Sequence, residues 1–380
     1  MQTDLSKKFG IEYPIFGFTP SEHVAAAISR AGGLGVLGCV RFNDAEELDA
    51  VLTWMDENTD GKPYGVDIVM PAKVPTEGTA VDLDSLIPAE HRAFVDRTLS
   101  ELGVPPLGDD AEHATGVLGW LHSVARSHVD VALEHRPALI ANALGSPPKD
   151  IIDLAHEKGV PVAALAGAVD HAKRHVENGV DIVIAQGYEA GGHTGEVASM
   201  VLWPEIVDAI GDSASVLAAG GVGSGRQVAA ALALGASGVW MGSYWLTTAE
   251  YKLGSAANGP SSIQRALLGA SSSDTVRSRI YSGKPARLLK TKWTEAWSKP
   301  DAPSPLPMPL QNILVSEAHQ RISAGNDPEV VAMPVGQIVG RMNEIRPVAE
   351  IMTELVDGYD KAVERLNQAS IPAHRTSTMP

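Results

Sequence analysis

The residues of this chain best suited to chemistry crowd into 181–195, Asp-Ile-Val-Ile-Ala-Gln-Gly-Tyr-Glu-Ala-Gly-Gly-His-Thr-Gly. Ile182 to Ala185 form an apolar run that reads as a buried strand. The chain then turns glycine-rich and carries Gln186, Glu189 and His193. A histidine near its ordinary pKa can take up or release a proton at neutral pH. A buried strand that delivers polar groups into a glycine-rich loop at its C-terminal end is how α/β enzymes build active sites. By itself a histidine in such a loop is more often structural, so its neighbours decide.

Those neighbours follow at once. Ser215-Val-Leu-Ala-Ala-Gly-Gly-Val-Gly-Ser-Gly-Arg226 reads as a strand end, a glycine-rich turn and a helix start. Exposed backbone N–H groups and the partial positive charge of a helix N-terminus suit a phosphate. Gly238-Val-Trp-Met-Gly-Ser-Tyr244 ends a further strand and supplies a second half-site. Phosphate binding after the last two strands recurs in barrel enzymes, whereas the plainer reading is two tight turns without a ligand.

The elements that position these loops are legible as an alternation. Strand candidates start near residues 13, 34, 64, 138, 161, 181, 216 and 238, separated by helical patterns such as 23–30, which Ser21 would cap, 44–57, 148–158 and 168–178. Parallel strands with intervening helices over this length fit an α/β fold, a (β/α)8 TIM barrel. A doubly wound sheet is the rival, but Gly32-Gly-Leu-Gly35 lacks the dinucleotide spacing and precedes a strand. The expected division is a barrel over 1–250, with an insertion after the third strand at about 72–114, and a helical and loop region over 251–380. The insertion carries a helix at 89–102 and a further helix spans 114–128. The C-terminal region carries helices at 246–257, 260–269, 308–323 and 345–368.

Composition bounds the rest. The chain has 380 residues, 44% of them hydrophobic, and a formal net charge of −16, which argues against nucleic-acid binding and attachment to anionic membranes. No apolar run is long enough to cross a bilayer and no signal peptide is evident, so a cytoplasmic protein is expected. Cys39 is the single cysteine, which reads as a buried thiol and excludes an intrachain disulfide. Residues 277–299 reverse the charge balance with Arg277, Arg279, Lys284, Arg287, Lys290, Lys292 and Lys299 against Glu295. They read equally well as an anion site or as a solvated, helix-flanking surface. His122, His128 and His135 cluster without metal-ligand spacing, and no metal is expected. The C-terminal helices could serve a homodimer, although no heptad seam marks one.

Ala185-Gln-Gly-Tyr-Glu-Ala-Gly-Gly-His-Thr-Gly195, Ala218-Ala-Gly-Gly-Val222 and Trp240-Met-Gly-Ser243 together resemble the nitronate monooxygenase (2-nitropropane dioxygenase) family. Ala31-Gly-Gly-Leu-Gly35, Pro63-Tyr-Gly-Val-Asp67 and Pro285-Ala-Arg287 fall where that family has similar elements. The resemblance spans about residues 10–345. It implies FMN in a (β/α)8 barrel with added helices, and oxidation of alkyl nitronates with O2. Matched residue by residue, Gln186 and Gly191 would contact the flavin ring, with Gly192 beside them. Gly220 and Gly221 would form the phosphate turn, and Trp240, Met241, Gly242 and Ser243 the second phosphate clamp. Gly17 and Phe18 at the first strand's end, and Asp67 at the third's, complete the cofactor set. His193 matches the active-site histidine, which would abstract an α-proton from a nitroalkane or hydrogen-bond a bound nitronate. Phe16, Phe18 and Tyr188 would wall a dry pocket.

Departures from the family concern the substrate. Asp67 stands where many relatives have Asn, Trp240 is bulky for its place, and the insertion is long. The family also contains NAD(P)H-dependent reductases of enones, enoyl thioesters and quinones, so membership leaves that activity open. The basic run favours it modestly, since CoA and NADPH both present phosphates. A flavin-free barrel that binds a phosphorylated ligand or a protein partner is the alternative from another class, and it predicts a colourless protein.

Overall fold

The computed structural model describes residues 1–70, 83–107, 122–254 and 259–369. Its strands in chain order are β1 (Ile15–Thr19), β2 (Leu34–Gly38), β3 (Tyr64–Asp67), β4 (Leu139–Asn142), β5 (Val162–Ala166), β6 (Ile182–Gln186), β7 (Gly192–His193), β8 (Ser215–Ala219), β9 (Gly238–Met241), β10 (Thr275–Ser278) and β11 (Ala286–Leu289). Eight of them close a parallel barrel in the order β1-β2-β3-β4-β5-β6-β8-β9, with β9 pairing back onto β1. The (β/α)8 reading holds, and all eight strand positions expected from sequence are occupied.

Alternation along each strand sorts side chains into two layers. Phe16, Leu34, Val36, Leu139, Ala163, Ile184 and Leu217 fill the barrel interior. The intervening Leu37, Val66, Ile140 and Ala164 face outward, where Leu48, Leu52 and Met55 of the helix Ala45–Asn58 cover them. Burying each large side chain contributes roughly 1.5–3 kcal/mol, which makes this strand parity the main determinant of register. Gly35 is needed for the layering, because a Cβ there would lie 1.9 Å from the Ala25 carbonyl oxygen of the covering helix. That helix, Glu22–Arg30, follows Ser21, but the Ser21 side chain makes no cap and its hydroxyl is buried without a partner.

Outside the barrel the sequence reading needs three corrections. No helix runs from 246: a 3-10 turn, Ser243–Thr247, is followed by a single bridge residue, Thr248, and turns, and 255–258 lie outside the described residues. Gln264 explains the break, since its amide donates to the carbonyls of Leu246 and Thr248 and withdraws them from helical bonding. The region after 250 is also not purely helical, because β10, β11 and β7 form an antiparallel three-stranded sheet. Third, a boundary at 250 divides the barrel's own wall. Val348–Ala369 packs on the helices Gly225–Ala233 and Glu22–Arg30, in the place of the barrel's eighth helix.

Helices at Ser262–Leu268 and Leu310–Gly325 match the expected ones closely. The insertion's helix, Ala89–Glu101, packs with the C-terminal region: Phe94 and Leu99 share a core with Trp293, Trp297, Val315 and Ile322. Insertion and C-terminal region thus build one cap over the barrel. Residues 72–82 and 108–114 of the insertion, and the first part of the expected helix 114–128, lie outside the described residues; the described part of that helix is His122–Glu134. Among the described residues no helix is long and apolar enough to cross a membrane.

Candidate active site

β6 ends in Gln186, and the chain crosses the barrel mouth to β7, which carries His193. β7 belongs to the cap sheet, with His193 opposite Ala286 and Gly192 opposite Arg287 on β11. The histidine is therefore held by backbone pairing rather than carried on an unpaired loop. Its Nε2 lies 2.6 Å from the Oγ of Ser282, a fully buried residue in the turn between β10 and β11. Ser282 Oγ also accepts the Lys284 N–H at 3.3 Å, which leaves its own O–H to donate to Nε2 and favours a proton on Nδ1. Burial, and then the Lys284 charge, push the His193 pKa down to about 4, so the imidazole is neutral at neutral pH.

Gln186 and His193 line the same cleft, with a volume of about 660 Å³, which opens at the mouth and runs outward over the ends of β4 and β5. The Gln186 amide donates to the Gly191 carbonyl at 3.2 Å, which fixes its orientation. Gly191 itself backs onto the cap, since a Cβ there would meet the Gly336 nitrogen at 2.7 Å. The expected flavin contact of Gly191 thus falls on a residue whose carbonyl and α-carbon are both engaged.

Three of the remaining expected residues cluster where β9 closes onto β1. The Phe18 and Trp240 rings stack at 6.1 Å, and Gly242 lies against Phe18. Parity sends two side chains here to opposite faces. Trp240 points into the barrel with the interior core, and Met241 points outward, its carbonyl accepting the Trp245 indole N–H at 2.8 Å. Their side chains are walls, and Gly242 and Ser243 follow at the strand's end. Gly17 also faces outward, where a Cβ would lie 2.5 Å from Ile28.

The turn after β8 has the conformation a phosphate site needs. Gly220 and Gly221 adopt φ of 99° and 70°, which few other residues tolerate, and the helix Gly225–Ala233 starts just beyond. The Glu189 carboxylate lies close to Gly221 and would oppose an anion, but its Oε2 accepts the Ser199 N–H at 3.0 Å, at the start of the next helix. Across the mouth, Asp67 faces the interior at the end of β3, level with Gly38 on β2. It is 3% exposed, accepts an N–H from Ala143, and leaves Oδ1 buried without a partner.

The basic run divides on inspection. Arg287 is buried, donates to the Tyr188 carbonyl at 3.0 Å and to Thr275 at 3.1 Å, and stacks on the Tyr188 ring. Arg277 binds the Thr194 carbonyl, Arg279 the Gly283 carbonyl, Lys290 the Ser273 carbonyl and Lys292 the Glu329 carboxylate. Arg277 and Arg287 tie the β6–β7 segment to the cap, whereas Arg279, Lys290 and Lys292 bond within the cap and stay exposed, so most of 277–299 fits the solvated-surface reading. Only Lys284 of this set lines the cleft. Replacing Arg287 by Met is expected to lower stability by about 2–4 kcal/mol, because a buried carbonyl loses a charged donor. Urea denaturation of the two proteins measures it, and a difference below about 0.5 kcal/mol would mean the guanidinium is not the clamp.

Sequence reasoning missed Ser282, and also a half-buried pair in the cleft, Ser146 with His175, whose Oγ and Nδ1 are 2.6 Å apart. No local signal marks either, since each pairs with a residue far along the chain. Among the described residues no group of histidines, cysteines and carboxylates could hold a metal. His135 is engaged by Asp49 and Asp56, and Cys39 is buried with its thiol pKa pushed up by desolvation.

A family profile described as nitronate monooxygenase matches residues 1–358. The chain belongs to the nitronate monooxygenase family. A Mycobacterium tuberculosis (strain ATCC 25618 / H37Rv) protein, Rv1533, provisionally named a monooxygenase, is 46% identical over 96% of this chain and 98% of its own. A Staphylococcus aureus (strain JH9) protein provisionally named nitronate monooxygenase is 26% identical over 95% of this chain and 98% of its own. Among solved structures, nitroalkane oxidase from Streptomyces ansochromogenes superposes with a TM-score of 0.77, covering 95% of this chain and 99% of that one at 24% identity, which speaks to the fold. Family membership makes this protein an oxidoreductase.

Proposed function

We propose that this nitronate monooxygenase family member binds FMN at the barrel mouth and oxidises alkyl nitronates, or the nitroalkanes from which they form, with O2. The observation that carries the reading is the neutral imidazole of His193, fixed by Ser282 in one cleft with an oriented Gln186. The residues present fit the cofactor: two left-handed glycines before a helix and the Gly242–Ser243 turn suit its phosphate, and the unpartnered Asp67 Oδ1 suits a polar edge of its ring. When bound, FMN would supply the electron-accepting chemistry. The protein's own part is to hold the substrate against Gln186, to accept a proton at His193 Nε2, displacing the Ser282 O–H bonded there, when the substrate arrives as a neutral nitroalkane, and to exclude water with Phe18 and Trp240. A nitronate arrives already deprotonated and needs from His193 only a hydrogen bond.

The phosphate turn can be tested directly. Gly221→Ala would force a side chain into φ 70° with its Cβ 3.2 Å from Glu189 Cγ. Strain of about 1–3 kcal/mol at that point is expected to weaken FMN binding roughly tenfold or more. Equilibrium titration of deflavinated protein with FMN measures this, with far-UV circular dichroism as the check on folding. Unchanged affinity would move the phosphate elsewhere.

The activity itself is tested by anaerobic stopped-flow mixing of the purified protein with propyl-2-nitronate, and separately with NADH or NADPH. Loss of flavin absorbance with the nitronate alone supports the reading. A colourless protein would end it in favour of a flavin-free barrel. Reduction by a nicotinamide alone would favour the second reading, a reductase of an enone, enoyl thioester or quinone. That reading draws support from the cations of the cleft.

A further inference from the structure

The cleft that holds His193 is cationic along its outer half. Lys149 at the start of the helix Lys149–Glu157, Arg174 on the helix Val169–Glu177, and Lys284 in the β10–β11 turn all line it, together with His171 and His175. Among the described residues that line it there is no carboxylate. On a chain of net charge −16 this is a local reversal of sign. The neighbouring histidines register it: after burial, Arg174 lowers the pKa of both His171 and His175, and Lys284 lowers that of His193. Two acids act against it, Asp153 paired with Lys149 and Asp170 beside His171.

The position of this cluster separates it from the cofactor's phosphate. In the barrel order β4 stands fourth and β9 eighth, so the end of β4 lies across the mouth from the turn that follows β9, and β6 separates β5 from β8. An anion held at the turns after β8 and β9 is not neutralised here. The floor between the two ends is polar. His175 is buried, its Nε2 meets the Leu165 carbonyl at 3.0 Å, and that bond leaves Nδ1 to accept the Ser146 hydroxyl.

We propose that the outer cleft is a second phosphate site, which takes the phosphate ester of a reacting partner whose other end reaches Gln186 and His193. Three cationic side chains, one of them a planar fork suited to paired oxygens, match a group with at least two negative charges better than a single carboxylate. The inference rests on the flavin reading for the partner's reactive end, but the phosphate contact stands without it. Two sources present such an ester, a reduced nicotinamide dinucleotide and a coenzyme A thioester.

The test is calorimetric titration of the purified protein with inorganic pyrophosphate, NADPH and coenzyme A, for the parent, Arg174→Gln and the double variant Arg174→Gln/Lys149→Gln. Both positions are exposed on helices, and circular dichroism verifies folding. Loss of one charged contact is expected to weaken pyrophosphate about tenfold, and the double variant more. The larger ligand that shows the same loss is the source. Equal affinities across the three proteins overturn the proposal, and a loss for pyrophosphate alone overturns the link to a reacting partner. A colourless protein that still shows the tenfold loss keeps this site while ending the flavin reading. A yellow protein with unchanged affinities does the reverse.

Discussion

Replacing His193 by Asn is expected to lower kcat/KM for a neutral nitroalkane by about 10²–10⁴-fold, the range that a positioned general base contributes. The same variant should cost a preformed nitronate far less, because that substrate has already given up its α-proton. The contrast separates a base from a mere hydrogen-bond donor. Steady-state oxygen uptake with nitroethane and with its nitronate measures it, with bound flavin counted by visible absorbance in both proteins. An equal loss on both substrates would show that His193 orients the substrate but does not take the proton.

The pH dependence follows from the same geometry. Burial and Lys284 hold the His193 pKa at about 4, against an ordinary 6.5, so the free enzyme should keep a neutral base from about pH 5 upward. The acid limb of kcat/KM with the nitroalkane therefore lies near pH 4, and His193→Asn removes it. A limb near pH 6.5 in the parent would mean that the cleft is wetter than its packing indicates.

How much of this was legible beforehand depended on the range of the interaction. The barrel was legible because strand identity is written locally: Ile182 to Ala185, Ser215 to Ala219 and Gly238 to Met241 are short buried runs closed by glycine turns. The loop of His193 and the Gly220–Gly221 turn were legible for the same reason. Side-chain direction at strand ends was harder. Trp240 and Met241 are adjacent, and only the pairing of β9 with β1 decides that the first enters the barrel and the second leaves it. The cap sheet was not legible at all. β10 and β11 lie in a stretch dominated by charge, and the feature that makes them strands is the pairing of β11 with β7, about 90 residues earlier, and of β10 with β11. Arg287 illustrates the cost of reading such charges as a patch, because its guanidinium is spent on the Tyr188 carbonyl.

Asp67→Asn is expected to stabilise the protein at alkaline pH and to remove a dependence on pH that the parent carries. Desolvation raises the Asp67 pKa to about 7, well above its ordinary 3.8, and only the Ala143 N–H acts the other way. The folded state then binds a proton that the unfolded state has already released. Stability should fall as pH rises from about 4 to about 7 and level off above, with a total loss of up to about 4 kcal/mol at 1.36 kcal/mol per pKa unit. Asn keeps an oxygen for Ala143, presents an amide where Oδ1 now lacks a partner, and does not titrate. Urea unfolding of both deflavinated proteins at pH 5 and pH 8 measures the difference. Parallel behaviour at the two pH values would show that water reaches the carboxylate. A gap that widens from pH 5 to pH 8 would show that the third strand ends in a carboxylic acid held neutral by its surroundings, one that ionises near neutrality beside the proposed ring site.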